Sequence, residues 1–174
     1  MFKSILVAID GSDHARKALR IAADIAGLYQ AELSIVHVVT GKKLADEVKR
    51  MAEVEHLVDT PKPTVSYDAT VSAEMSRMLT NSSLHNAIAQ IATAVGQRLL
   101  DEAGSRLHET NGLEAGKHLE RGDPAREILA CAKRTNADLV VLGNRGLSDI
   151  VGVFMGSVSA RVTHAAECTV LTVK

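Results

Sequence analysis

The sequence predicts an α/β fold, an open, doubly wound domain built on a parallel sheet with helices on both faces. Three observations predict it. Four short apolar runs, Ile5-Leu6-Val7-Ala8-Ile9, 33–39, 139–142 and 170–173, are continuous or nearly so and rich in β-branched residues, as strands covered on both faces are. Amphipathic helical patterns lie between them, giving the order βαβ(insert)αβαβαβ. The length, 174 residues, suits one domain that buries a sizeable core without staples.

The first strand is stopped by Asp10. The helix after it keeps Ala18, Leu19, Ala22, Ile25 and Ala26 on one face, with Ser12 or Asp13 as N-cap and Gly27 near its end. After the second strand, the segment 40–82 far exceeds the usual connection of roughly 2 to 6 residues and reads as an insertion before the second helix. Within it, Leu44, Val48, Met51 and Leu57 lie on or near one helical face, Pro61 and Pro63 break the pattern, and 64–83 is polar apart from Met75, Met78 and Leu79. A surface excursion, a lid over a site and a dimer contact all fit such a segment. A long helical pattern follows through Leu84, Ile88, Ile91, Val95, Leu99, Ala103 and Leu107, ending near Asn111-Gly112. A fifth strand candidate lies near 114–120. Asp123-Pro124 then opens a third helix, with Asp as cap and Pro in the first helical position, and the last helix spans about 156–165.

Composition removes several function classes. Twenty Lys and Arg against twenty-one Asp and Glu give a formal net charge of −1, no electrostatic footprint for DNA or RNA. With no Trp and only Tyr29, Tyr67, Phe2 and Phe154 as aromatics, there is no stacking platform for single strands. The opening apolar run is too short for a signal-peptide core or a membrane span, so a cytoplasmic location is expected. Cys131 and Cys168 show no CxxC pairing and read as buried free thiols in a reducing compartment. The seven histidines show no metal-ligand spacing, and His37, inside an apolar strand, reads as a satisfied core residue. No nucleophile elbow of the GxSxG kind and no acid/base pair are recognisable.

The stretch that carries chemistry is Gly143-Asn144-Arg145-Gly146, then nine residues, then Gly156-Ser157-Val158-Ser159. It runs from the end of the fourth strand to the start of the last helix. Glycines let backbone N–H groups approach an anion with no Cβ in the way. A helix N-terminus adds unpaired N–H groups and a dipole contribution of roughly 0.3 to 1 kcal/mol. Hydrogen bonds to charged oxygens contribute about 1.5 to 3 kcal/mol each, so converging amides and hydroxyls outweigh the dipole. Ser157 and Ser159 can add hydroxyls and Arg145 a cation. The spacing is neither a P-loop nor a GxGxxG turn, and taken alone it also fits glycines that merely shape a loop.

Apart from the insertion, the chain resembles the universal stress protein family. The opening Ile5-Leu6-Val7-Ala8-Ile9-Asp10-Gly11-Ser12 resembles that family's first strand and turn, Val36-His37-Val38 the end of its second strand, and Gly122-Asp123-Pro124-Ala125 the start of its third helix. Gly143-x2-Gly146-x9-Gly156-Ser157 is similar to the signature of the family's ATP-binding branch. The resemblance implies one domain over 1–174 with a five-stranded parallel sheet in the order 3-2-1-4-5, a Rossmann-like fold of the adenine-nucleotide alpha hydrolase kind. That order would bring Asp10, closing strand 1, beside Gly143, closing strand 4.

It further implies a site for ATP or another adenine nucleotide. Ala8, Ile9 and Asp10 would line the adenosine side, and Asp10 could accept from ribose or hold Mg²⁺ near the phosphates, or serve only as a turn residue. Val38 would meet the base. Leu142, Gly143, Arg145 and Gly146 would wrap ribose and triphosphate, with Gly156, Ser157, Val158 and Ser159 around the phosphates. The resemblance also implies a stress-response homodimer paired through the last strand. Thr169 stands where the family commonly has Pro, which restores a backbone donor. A slow Mg-dependent ATPase or AMP-forming enzyme, and an interaction module that binds no nucleotide, are the alternatives.

Overall fold

The computed structural model describes residues 1–40, 83–146 and 155–174, with the backbone alone for 83–88. The readings made for 41–82 and for the loop 147–154 lie outside the described residues. The described elements are β1 (Ser4–Ala8), α1 (Asp13–Tyr29), β2 (Glu32–Val39), α2 (Ser83–Asn111), β3 (Ala115–Arg121), α3 (Pro124–Arg134), β4 (Leu139–Gly143), α4 (Ser157–Ala165) and β5 (Thr169–Val173). The strands form one sheet in the order β3-β2-β1-β4-β5. Every neighbouring pair is parallel, so the sheet is the predicted one.

The chain divides into two compact units, one of Met1–Val39 with Val95–Lys174 and one of Thr40–Ala94. The first contains the sheet. In the second, the described part is Thr40 and the opening turns of α2, where Thr93 Oγ1 donates to Ala89 O at 2.6 Å.

Strand alternation sorts the apolar side chains into two layers. Ile5, Val7, Leu33, Ile35, Leu139 and Val141 point to the face covered by α1 and by the later turns of α2, including Leu100, Ala103 and Leu107. Leu6, Val36, Val140 and Leu142 point to the other face, against Ala125, Ile128, Cys131 and Ala132 of α3 and Val162 of α4. The strands read as continuous apolar runs because both of their faces pack in apolar layers.

Helix ends follow side-chain chemistry. Ser12 caps α1, its Oγ accepting from Ala15 N at 3.2 Å. Asp123 caps α3 by accepting from Arg126 N at 3.0 Å, with Pro124 in the first turn. Gly27 lies near the end of α1, as expected. The helix runs on to Tyr29 and stops at Gln30, which takes the left-handed conformation at φ 53° and returns its N–H to Ala26 O.

Along α2 the buried stripe differs from the predicted one. Val95 is exposed, whereas Leu100, outside the predicted series, is buried. Glycines set this face: a Cβ on Gly96 would lie 2.8 Å from both His37 Cδ2 and Leu119 Cδ1, so α2 approaches β2 and β3 more closely than a side chain would allow. At the other edge, β5 begins at Thr169, whose N–H donates to Asp138 O at 3.2 Å. Proline there could not make that bond.

Leu6 is fully buried in the central strand. Leu6→Ala is expected to destabilise the protein by about 2–5 kcal/mol in denaturant unfolding, while Leu28→Ala, at a site 76% exposed, stays within about 0.5 kcal/mol of the parent.

Candidate functional site

Strands β1 and β4 are neighbours, with Ala8 opposite Leu142, so both end at the same rim of the sheet. From there the chain passes into α1 on one face and, after β4, into α4 on the other. Helices that leave adjacent strands toward opposite faces open a crevice at the carboxyl ends, where ligands of such folds bind.

Asp10 stands at that rim. Its Oδ1 accepts from Ser12 N at 3.0 Å, closing a turn that Gly11 permits at φ 85°. A Cβ on Gly146 would fall 2.5 Å from Asp10 Oδ2, nearer than any real side chain could sit. The two segments, distant in sequence, therefore meet. Gly143 is also close-fitting, since a Cβ there would lie 2.8 Å from His14 Cβ and 3.1 Å from Ala15 N.

The start of α4 is tied to the end of β4 by hydrogen bonds. Gly156 N donates to Asn144 O at 2.8 Å, and Asn144 N donates to Val173 O at 2.6 Å. Ser159 is buried, and its hydroxyl proton lies between two of the protein's own acceptors, Asn144 O at 2.8 Å and Gly156 O at 2.9 Å. It ties the start of α4 to the end of β4. Ser157, by contrast, is exposed in the first turn of α4, and Gly156 precedes it as the cap, making no side-chain cap bond. Arg145 is half-buried, its Cα 3.5 Å from where a Gly156 Cβ would lie.

The apolar candidates divide. Ala8, Val38, Leu142 and Val158 pack on the same layer beside α3 and α4. Ile9 points its side chain into the opposite layer, under α1 and α2. Its N–H donates to Val36 O at 2.9 Å and its carbonyl lies 2.8 Å from His37 Nδ1, so its main chain fixes the strand end. His37 is thereby satisfied within the fold.

One link at the site escaped the sequence. Arg161 of α4 grips Asp123 with both nitrogens, NH1 to Oδ2 at 2.8 Å and NH2 to Oδ1 at 2.9 Å. This fork joins the start of α3 to α4. The guanidinium first, and then the Arg126 backbone N–H, hold the Asp123 carboxyl below the usual carboxylate range. Residues 38 apart in sequence with no shared motif give no signal of such a pairing.

The sequence profile of the Universal stress protein family matches residues 1–174. The chain belongs to that family. It is 32% identical over 178 residues to universal stress protein YxiE of Bacillus subtilis, covering the whole of both chains. Among solved structures, it is similar to the universal stress protein UspA from Lactobacillus plantarum, with a TM-score of 0.66, 23% identity and coverage of 99% of this chain and 97% of that one. It is also similar to a universal stress protein crystallised in complex with cAMP, with a TM-score of 0.58, 27% identity and coverage of 99% and 97%. Among the described residues of this universal stress protein, no helix is long and apolar enough to cross a membrane.

The two serines of the α4 start separate by burial. In this universal stress protein Ser159→Ala is expected to cost about 0.5–1.5 kcal/mol in thermal unfolding, through loss of the ties to Asn144 and Gly156. Ser157→Ala is expected to stay within about 0.5 kcal/mol.

Proposed function

We propose that this universal stress protein is an adenine-nucleotide-binding regulatory module, with ATP as the ligand and the crevice between β1 and β4 as its site. The observation that carries the reading is the contact of Gly146 with the Asp10 carboxylate, which sets an acidic group and a glycine-lined turn at one rim. A negatively charged triphosphate is accommodated by the first N–H groups of α4, which opens at exposed Ser157, the Gly156 N–H being already held by Asn144 O. The missing Cβ at positions 143, 146 and 156 lets the chain leaving β4, the Asp10 turn and the α4 start pack closely together at this rim. Ala8, Val38, Leu142 and Val158 supply an apolar side suited to adenine and ribose. The complex of a family neighbour with cAMP supports the ligand class.

Mg²⁺, when bound with ATP, would neutralise phosphate charge, and Asp10 is the residue on this chain suited to hold it, directly or through water. Among the described residues the candidate site offers Asp10 alone to work with a metal on water, so the reading is of a binder whose ligand shifts conformational or assembly equilibria. β5 lies at the sheet edge, and an edge strand supports pairing of two copies through it. A cytoplasmic, homodimeric stress-response module is the proposal that results.

Titration calorimetry with Mg-ATP tests it. The parent protein is expected to bind, Ser157→Ala to lose roughly 10- to 100-fold in affinity, and Gly146→Val to lose measurable binding while its circular dichroism is retained. Equal affinity in all three would overturn the reading. Phosphate release under the same conditions separates binder from ATPase, since sustained turnover abolished by Asp10→Ala would favour an enzyme.

A further inference from the structure

Away from the crevice rim, three side chains of metal-ligand type converge between edge strand β3 and helix α3. His118 and Glu120 lie two apart on β3 and so share a face, and Cys131 stands on α3. Each offers one ligand atom, and these atoms all lie within 4.8 Å of one another. We infer that His118, Glu120 and Cys131 form a binding site for a borderline-soft divalent transition metal of the zinc type. The site is independent of the nucleotide reading.

The donor set is the first argument. An imidazole nitrogen, a thiol sulfur and a carboxylate oxygen together suit zinc better than the hard cations, which prefer oxygen alone. Three protein ligands also leave a fourth tetrahedral position for water or an outside ligand. Rigidity is the second argument. Cys131 is fully buried in the packed layer under α3, and β3 is held to β2 along its whole length, with Val36 opposite His118 and Val38 opposite Glu120. Tetrahedral coordination at zinc bond lengths needs ligand atoms about 3.3–3.7 Å apart, so closure of about 1 Å by side-chain rotation completes the set.

Orientation is the third argument. Arg134, one turn beyond Cys131, pairs with Glu120 Oε1. A carboxylate has a second oxygen, so Arg134 can hold Glu120 in place while that oxygen ligates, as outer partners do for ligating carboxylates. Cys131 is a free cysteine, so no disulfide competes for its sulfur. Sulfur ligates as thiolate, so metal binding forms the S–metal bond as the S–H bond breaks, with the proton released to water. No electron is transferred.

Cobalt(II) added to the full chain, with a phosphine reductant, is the test, because thiolate ligation gives a near-ultraviolet charge-transfer band and tetrahedral geometry gives intense visible bands. The parent protein is expected to show both at one equivalent and to lose them when zinc is added. Cys131→Ser removes the charge-transfer band, Cys168→Ser leaves it, and His118→Gln weakens cobalt binding at least about tenfold. Absence of both bands in the parent, or a charge-transfer band that survives Cys131→Ser, overturns the site. Should Cys131→Ser fail to fold, the half-buried His118 decides: unchanged affinity in His118→Gln also overturns it.

Discussion

Strand β1 lies at the centre of the sheet, with β2 on one side and β4 on the other, and its register against β4 sets Ala8 opposite Leu142. That parallel pairing is the constraint on which the rest depends. It makes the turn after Ala8 and the turn after Gly143 share one rim, and it sends the helices that follow to opposite faces. Once this is fixed, Asp10 has nowhere to stand but beside the chain leaving β4. A side chain at Gly146 would then displace the Asp10 carboxylate, because Asp10 Oδ2 lies 2.5 Å from where its Cβ would be.

Several smaller devices keep the rim in shape. Asp10 braces its own turn through Ser12 N, and Ser12 in turn caps α1. Asn144 gathers the other side, with its N–H on Val173 and its carbonyl accepting from Gly156 and Ser159. The Asp123–Arg161 fork joins α3 to α4 on the same layer. These ties hold the α4 start in place within the fold itself, and under the proposed nucleotide reading such preorganisation would reduce the ordering that binding requires.

Much of the fold was legible in the sequence because its strands are apolar on both faces and its helices begin with side chains that cap. The stop at Gln30 has no mark in the sequence, since only glycine announces a left-handed residue, while Gly27 lies near the end of α1 as its position suggests. The buried face of α2 differs from the spacing of its large apolar residues because Gly96 decides how closely the helix lies on β2 and β3. At the rim, the fold brings 143–146 and the start of α4 together, but residue types alone do not give the role of each. Ser159 reads as a donor to a ligand until its burial and its bonds to Asn144 and Gly156 are known. Ile9 reads as lining the crevice until strand alternation turns it to the other layer. His118, Glu120 and Cys131 share no motif, since strand alternation and helix packing bring them together only in the fold.

The measurement that bears most directly on the central claim is a map of backbone amide shifts as Mg-ATP is added to the isotope-labelled full chain. Saturable shifts concentrated at Asp10, Gly11, Gly143, Gly146, Gly156 and Ser157 are the result this account predicts. Saturable shifts gathered elsewhere, or none at millimolar nucleotide, would contradict it.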